Sequence, residues 1–209
     1  MISNTFKRVA TKTATLGLAA MVLASCYLPS RFDAEIEVDR AGYYSMIFDG
    51  YMADVYLFDG LRKGKISRAE EKEKIAVIER DFSRDANTQE FQYYREGHFR
   101  VKWERKGDLL KAKTVTFLRR NELILQLKYV ANSGYVVLEG KSIKQENRKR
   151  IYDMGLNMQG TIRVKTDMPI KSHNATIEKK DPKDPRYKWL SWDIESIMSP
   201  RPRAVFIIE

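Results

Sequence analysis

Hydrophobic and polar positions alternate with period two across residues 32–39. Phe32, Ala34, Ile36 and Val38 are apolar, and Asp33, Glu35, Glu37 and Asp39 lie between them. Successive side chains of a strand point to opposite faces, so the stretch predicts a strand with one buried face. Arg40-Ala41-Gly42 predicts a turn. The aromatic and β-branched run 43–58 predicts a second strand, with Gly50 as a bulge or bend. Ser67-Arg68-Ala69-Glu70 has the spacing of a capping box and opens a helix to about residue 84. Ile75, Ile78 and Phe82 fall on its sheet-facing side. The mixed charges of 70–74 read as its solvated face.

Strand patterning returns at 91–95 and 99–103, joined by the turn Glu96-Gly97. A further hairpin is predicted from 114–118 and 123–130 around Arg119-Arg120-Asn121. Asn132-Ser133-Gly134 then turns into a strand at 135–138. Ser142-Ile143-Lys144-Gln145 has capping-box spacing again. It predicts a second helix that ends near Gly155, with Ile143, Ile151 and Met154 as a narrow apolar stripe. Strands follow at 161–164, 175–177, 187–194 and 204–208, interrupted by the turn-rich Asp181-Pro182-Lys183-Asp184-Pro185. Elements come in runs rather than in βαβ alternation. The expected class is therefore α+β, a mainly antiparallel curved sheet or sandwich of about nine or ten strands with two helices.

The amino terminus departs from this patterning. Lys7, Arg8 and Lys12 precede an apolar run of about 11 residues, 14–24, with no acidic residue among the first 25. The run is shorter than the ~18–20 residues that span a bilayer as a helix. It has the layout of a secretory signal. The single cysteine, Cys26, follows it directly, after Leu23-Ala24-Ser25. Here the chain resembles bacterial lipoprotein precursors, whose lipobox is an aliphatic residue, two small residues and a cysteine. The resemblance implies cleavage between Ser25 and Cys26, an S-diacylglyceryl group on the thiol and an N-acyl group on the new terminus. Tyr27 rather than Asp after the cysteine implies sorting to the outer membrane, facing the periplasm. The expected organisation is a signal peptide at 1–25, an acylated tether at 26–31 and one domain at 32–209.

Composition changes this picture in two ways. The chain of 209 residues carries 38 Lys and Arg against 28 Asp and Glu, a net charge of +10. Three of those cations belong to the signal, so residues 26–209 carry +7. Lys141, Lys144, Arg148, Lys149 and Arg150 cluster on the second predicted helix, and Arg62, Lys63, Lys65 and Arg68 lie at the start of the first. An exported protein does not meet nucleic acid, so the expected anionic partners are phospholipid headgroups and envelope polymers. One cysteine closes no intramolecular disulfide, and no Cys/His cluster is spaced to hold zinc.

With this order of elements the chain also resembles the LppM-type lipoprotein domain. The parallels are the lipobox, the early hairpin Ala34-Glu35-Ile36-Glu37-Val38 through Arg40-Ala41-Gly42, the helix after it, and late strands containing Ser172-His173-Asn174-Ala175 and the Trp189 to Trp192 segment. The resemblance covers most of 30–209. It implies a β-rich lipoprotein domain that binds lipid, and it carries no catalytic residue across.

Catalytic motifs are absent from the chain: no Gly-rich phosphate loop, no GxSxG elbow, no HExxH helix. His98 and His173 are the only imidazoles, and neither has a His or Cys at ligand spacing. No metal and no cofactor is expected. Aromatic residues crowd three segments: Tyr43, Tyr44, Phe48, Tyr51, Tyr56 and Phe58; Tyr93, Tyr94, Phe99 and Trp103; Tyr187, Trp189 and Trp192. Such residues serve either as ordinary core and cross-strand pairs or as the lining of a ligand cavity. The leading expectation is a lipid-anchored, non-enzymatic envelope protein acting as a structural, assembly or interaction factor. The alternatives are a module binding a lipid or other apolar ligand in a sheet cavity, and an envelope hydrolase.

Overall fold

The computed structural model describes residues 27–117, 125–140 and 142–208. Ser25, Cys26, Lys141, the signal and the turn at 119–121 lie outside the described residues. The alternation that opens the chain's patterning is realised as β1 (Tyr27–Val38), which buries Phe32, Ala34, Ile36 and Val38 and turns the intervening acids outward. Asp39 closes the hairpin: its carboxylate accepts the Tyr43 amide at 2.9 Å, and its carbonyl accepts the Gly42 amide at 2.9 Å. Gly42 adopts φ +83°, the left-handed conformation that glycine takes without penalty.

β2 (Tyr43–Asp54) pairs antiparallel with β1. It ends at residue 54, not at 58. The Asp54 side chain accepts the Leu57 amide at 2.8 Å and so caps α1 (Val55–Arg62). A buried N-cap outweighs the strand propensity of Val55, Tyr56 and Phe58. Gly50 is no bulge. It lies in register between Phe32 and Val101, and the irregularity falls on β1, between Pro29 and Arg31. Residues 27–31, expected as a tether, are the first residues of β1.

α2 (Arg68–Phe82) opens on the expected capping box. Ser67 accepts the Glu70 amide, and the Glu70 carboxylate accepts the Ser67 amide at 2.8 Å. Ser67→Ala removes one partner and is expected to cost about 1 kcal/mol in urea unfolding. Ser142→Ala is expected to stay within ~0.5 kcal/mol, because the second capping box does not form. α4 (Gln145–Asp153) starts at Gln145 with Lys144 at its N-cap and no side-chain cap. Its carboxyl end closes as expected. Gly155 takes φ +87°, its amide reaches the Tyr152 carbonyl, and the Leu156 amide reaches Ile151.

β3 (Thr88–Arg95) and β4 (His98–Asp108) make the next hairpin. A short α3 (Leu109–Ala112), not expected from sequence, leads to β5 (Thr114–Thr116), β6 (Gln126–Val130) and β7 (Tyr135–Glu139). After α4 come β8 (Gln159–Thr166), β9 (Ile170–His173), β10 (Ile177–Lys180), β11 (Lys188–Ile194) and β12 (Arg203–Ile207). β9 is a further unexpected strand, and the described total is twelve strands and four α-helices.

Two sheets result. One has seven strands in the order β10-β11-β8-β1-β2-β4-β3, the other five in the order β5-β6-β7-β12-β9. β1 and β8 run parallel, and the other described pairs are antiparallel. The class is α+β, as expected. One core spans the inner faces of both sheets, where Phe117 meets Phe48 and Trp103. At the β3–β4 end the same face of the large sheet is covered by α2, whose Phe82 stacks on Phe91 at 3.8 Å. A second small cluster of Leu28, Ala53, Val55, Ile151, Leu156 and Ile197 lies under α4. The helices therefore embrace the start of β1 from both sides.

Candidate functional site

The outer face of the large sheet carries charge in opposed pairs. Arg163 reaches Asp33 and Glu35, Lys165 reaches Glu37 and Asp181, Arg100 reaches Asp49, Lys102 reaches Glu90 and Lys106 reaches Glu104. Partial burial works against the Lys165 charge, but Glu37 and Asp181 outweigh it and raise the ammonium above its ordinary value. Lys106 and Glu104 share β4, and the other pairs reach across to a neighbouring strand or strand end, where opposite charges keep the open face solvated and in register. These five cations are already committed to carboxylates when an anion approaches.

The start of β1 differs. Three grooves open around residues 27–31. The first, of about 580 Å³, lies between α1 and α2 beside Tyr27 and is walled by Leu57, Ile66 and Ile78. Tyr56 and Val77 are 58% and 60% exposed on its rim, where Lys74, Arg80 and Arg84 also lie. Asp54 sits beneath it. Burial pushes this carboxyl up, against the pull of the Leu57 and Tyr56 amides and of Lys74. The second, of about 330 Å³, runs from Tyr27, Leu28 and Pro29 to α4 and the 197–202 segment, with Arg148 and Arg201 in its wall. The third, of about 320 Å³, lies beside Ser30 and Arg31 and carries Tyr51, Tyr94 and Arg95. Together the walls hold seven Lys or Arg residues against four Asp or Glu.

Of the described cations expected to meet an anionic surface, Arg148 alone lines one of these grooves. Lys144 is exposed at the helix N-cap, Lys149 is tied to Asp153 at 2.7 Å, and Arg150 is exposed. Lys141 lies outside the described residues. In the other cluster, Arg62 and Lys63 are paired with Asp59. Glu71, expected on a solvated face, instead accepts a hydrogen bond from the Tyr93 hydroxyl. Burial and this carboxylate together raise the Tyr93 phenol. Sequence reasoning missed Arg31, Arg95 and Arg201. The available signal for Arg201 was its setting between Pro200 and Pro202 beside a strand.

The aromatic segments divide. Tyr44, Phe48, Phe99, Trp103 and Trp192 are core, whereas Tyr43, Tyr56 and Tyr94 are exposed. Both imidazoles are engaged. His98 Nδ1 is 3.1 Å from the Glu96 carbonyl, and its ring meets Phe58 edge-on. His173 accepts the Ala175 amide at Nδ1 and sets Nε2 3.0 Å from Glu178. Among the described residues, no three His, Cys, Asp or Glu side chains converge as a metal site. No described helix is long and apolar enough to cross a membrane.

No family model and no curated protein matches the chain. Similar solved structures include the folded domain of the LppM protein of Mycobacterium tuberculosis, at 12% identity, covering 86% of this chain and 91% of that one with a TM-score of 0.41. Another is the M1 zinc metallopeptidase of Deinococcus radiodurans, at 9% identity, covering 86% of this chain and 42% of that one with a TM-score of 0.37. At these scores neither likeness assigns an activity or a ligand.

Proposed function

We propose that the chain is a lipid-anchored envelope lipoprotein. Signal cleavage between Ser25 and Cys26 and acylation of Cys26 would hold it on the periplasmic face of the outer membrane. It acts there without catalysis, as a structural, assembly or interaction factor. The observation that carries this reading is the position of Tyr27: the residue after Cys26 already belongs to β1 and lines two of the three grooves, one of them walled by Arg148 and Arg201 with no described carboxylate. A fold that starts one residue after its anchor has no slack, so its β1 end lies against the headgroups. Two acyl chains suffice for stable attachment, and each Lys or Arg near an anionic surface adds about 1 kcal/mol.

Cys26→Ala tests the anchor, expressed as the full chain in a two-membrane bacterium and followed by mass, palmitate labelling and membrane fractionation. The expected result is an unlabelled, uncleaved precursor that no longer fractionates with the outer membrane. Continued processing before residue 26, or continued labelling, would sink the reading.

A further inference from the structure

The groove between the start of β1 and α4 differs from its two neighbours in chemistry. Its described wall contains two arginines, Arg148 and Arg201, and no carboxylate. Neither guanidinium has an ion-pair partner among the described residues. Arg148 donates from Nη1 to the Met198 carbonyl at 3.5 Å, and its Nε is buried without any partner. Arg201 donates from Nη1 to the Gly140 carbonyl at 3.4 Å. Both contacts are at the long limit for a hydrogen bond. On the open sheet face of the same molecule, Arg100, Lys102, Lys106, Arg163 and Lys165 all have carboxylates. An orphaned buried N–H calls for an explanation, and two under-bonded guanidinium forks form a ready receptor for the oxygens of a phosphate.

The rest of the wall is apolar. Leu28, Ile143, Met158 and Ile197 line it, together with the rings of Pro29, Pro200 and Pro202. A purely ionic ligand would gain nothing from these walls, and a purely apolar one would bury the arginines further without a partner. We infer that this groove binds one anionic membrane phospholipid, its phosphate on Arg148 and Arg201 and the first part of an acyl chain along Leu28, Met158 and Ile197. The source of the lipid is the membrane against which Tyr27 is held, so in that respect the inference rests on the anchored reading. The volume of about 330 Å³ falls at the small end of ligand sites and fits the glycerol-phosphate region of a lipid rather than a whole one. The bound lipid would fix the domain's orientation, which an acyl anchor alone leaves free.

The test uses the full chain purified in neutral detergent and native mass spectrometry with added phosphatidylglycerol or phosphatidylcholine. The expected result is at least a tenfold preference for phosphatidylglycerol, lost in R148Q/R201Q and kept in the outer-face control K102Q/K106Q. Circular dichroism melts establish that each variant is folded. If the double variant does not fold, R201Q and R201K are read separately. R201Q is then expected to lose most of the preference, and R201K, which keeps the charge and loses the fork, part of it. Equal binding of the two lipids, or a preference untouched by the folded arginine variants, overturns the inference. Displacement of the lipid by an equal concentration of inorganic phosphate also overturns it, since the site would then be one for soluble anions. Cys26→Ala separates the two proposals: a chain that is unanchored and still prefers phosphatidylglycerol keeps the groove assignment, and an anchored chain without the preference keeps only the anchor.

Discussion

Trp103→Ala is expected to destabilise the protein by about 3–5 kcal/mol, the range for truncating a buried aromatic side chain. The indole is 2% exposed in the centre of the core and packs on Phe117 with ring centroids 5.7 Å apart. It also does a second job. Its Nε1 donates to Asp85 at 3.1 Å, and the other carboxylate oxygen accepts the Asn87 amide and side chain, so Trp103 pins the α2–β3 loop to the core. Against a total stability of roughly 5–15 kcal/mol, such a loss is a large share. For a domain of this size it lowers Tm by roughly 6–20 °C.

Trp103→Phe separates the two jobs. It keeps most of the packing and removes the hydrogen bond. Burial alone would raise the Asp85 carboxyl, but the bonds from Asn87 and Trp103 hold it below its ordinary value. A depressed carboxylate contributes stability that is present above its unfolded pKa and lost as pH falls through the folded one. The gap between wild type and Trp103→Phe is therefore expected to be full at pH 7 and to narrow below the ordinary aspartate range. Urea unfolding of both proteins across pH 2–7 measures it. A gap independent of pH would mean that the Asp85 bond contributes nothing.

The parts of this fold that were legible in the sequence are those whose physics is local. The 32–39 alternation needs only a pleat and one buried face, and the Ser67 to Glu70 box needs only one helical turn. Ser142 to Gln145 has the same spacing, yet its fourth residue begins the helix rather than completing the first turn, so spacing alone misled. α1 was hidden because Val55, Tyr56 and Phe58 favour strands. The decisive feature, Asp54 as a buried cap, depends on the fold around it. The grooves were the least legible part. Arg148 and Arg201 sit in one wall, yet they come from segments 53 positions apart, and the groove they share with Leu28 forms where Ile151 of α4 and Ile197 pack onto the first residues of β1. That packing depends on the parallel pairing of β1 with β8, which no local pattern announces.

The same pairing makes Gly160→Ala the most damaging of the small substitutions. Phe32 stands in register between Gly50 on β2 and Gly160 on β8. A Cβ at 160 would lie 2.2 Å from the Phe32 carbonyl oxygen and 2.7 Å from its ring, where Phe32 stacks on Phe48. The oxygen belongs to a central strand bonded on both sides, so it cannot retreat without parting β1 from β8. The cost is expected at or beyond the top of the ~1–3 kcal/mol that overpacking brings. Gly64→Ala is the control. Its φ of +64° is strained for alanine, but the site faces open space, so only the backbone term of about 1–2 kcal/mol applies. Guanidinium unfolding of the two variants side by side decides the matter, and a Gly160→Ala protein no less stable than Gly64→Ala would show that β8 shifts freely. Gln159 and Met158, which link β8 to α4, line two of the three grooves. Parting β1 from β8 therefore also moves the walls beside Arg31 and Arg148, so phosphatidylglycerol preference is expected to fall in Gly160→Ala even where the protein remains folded, and to persist in Gly64→Ala.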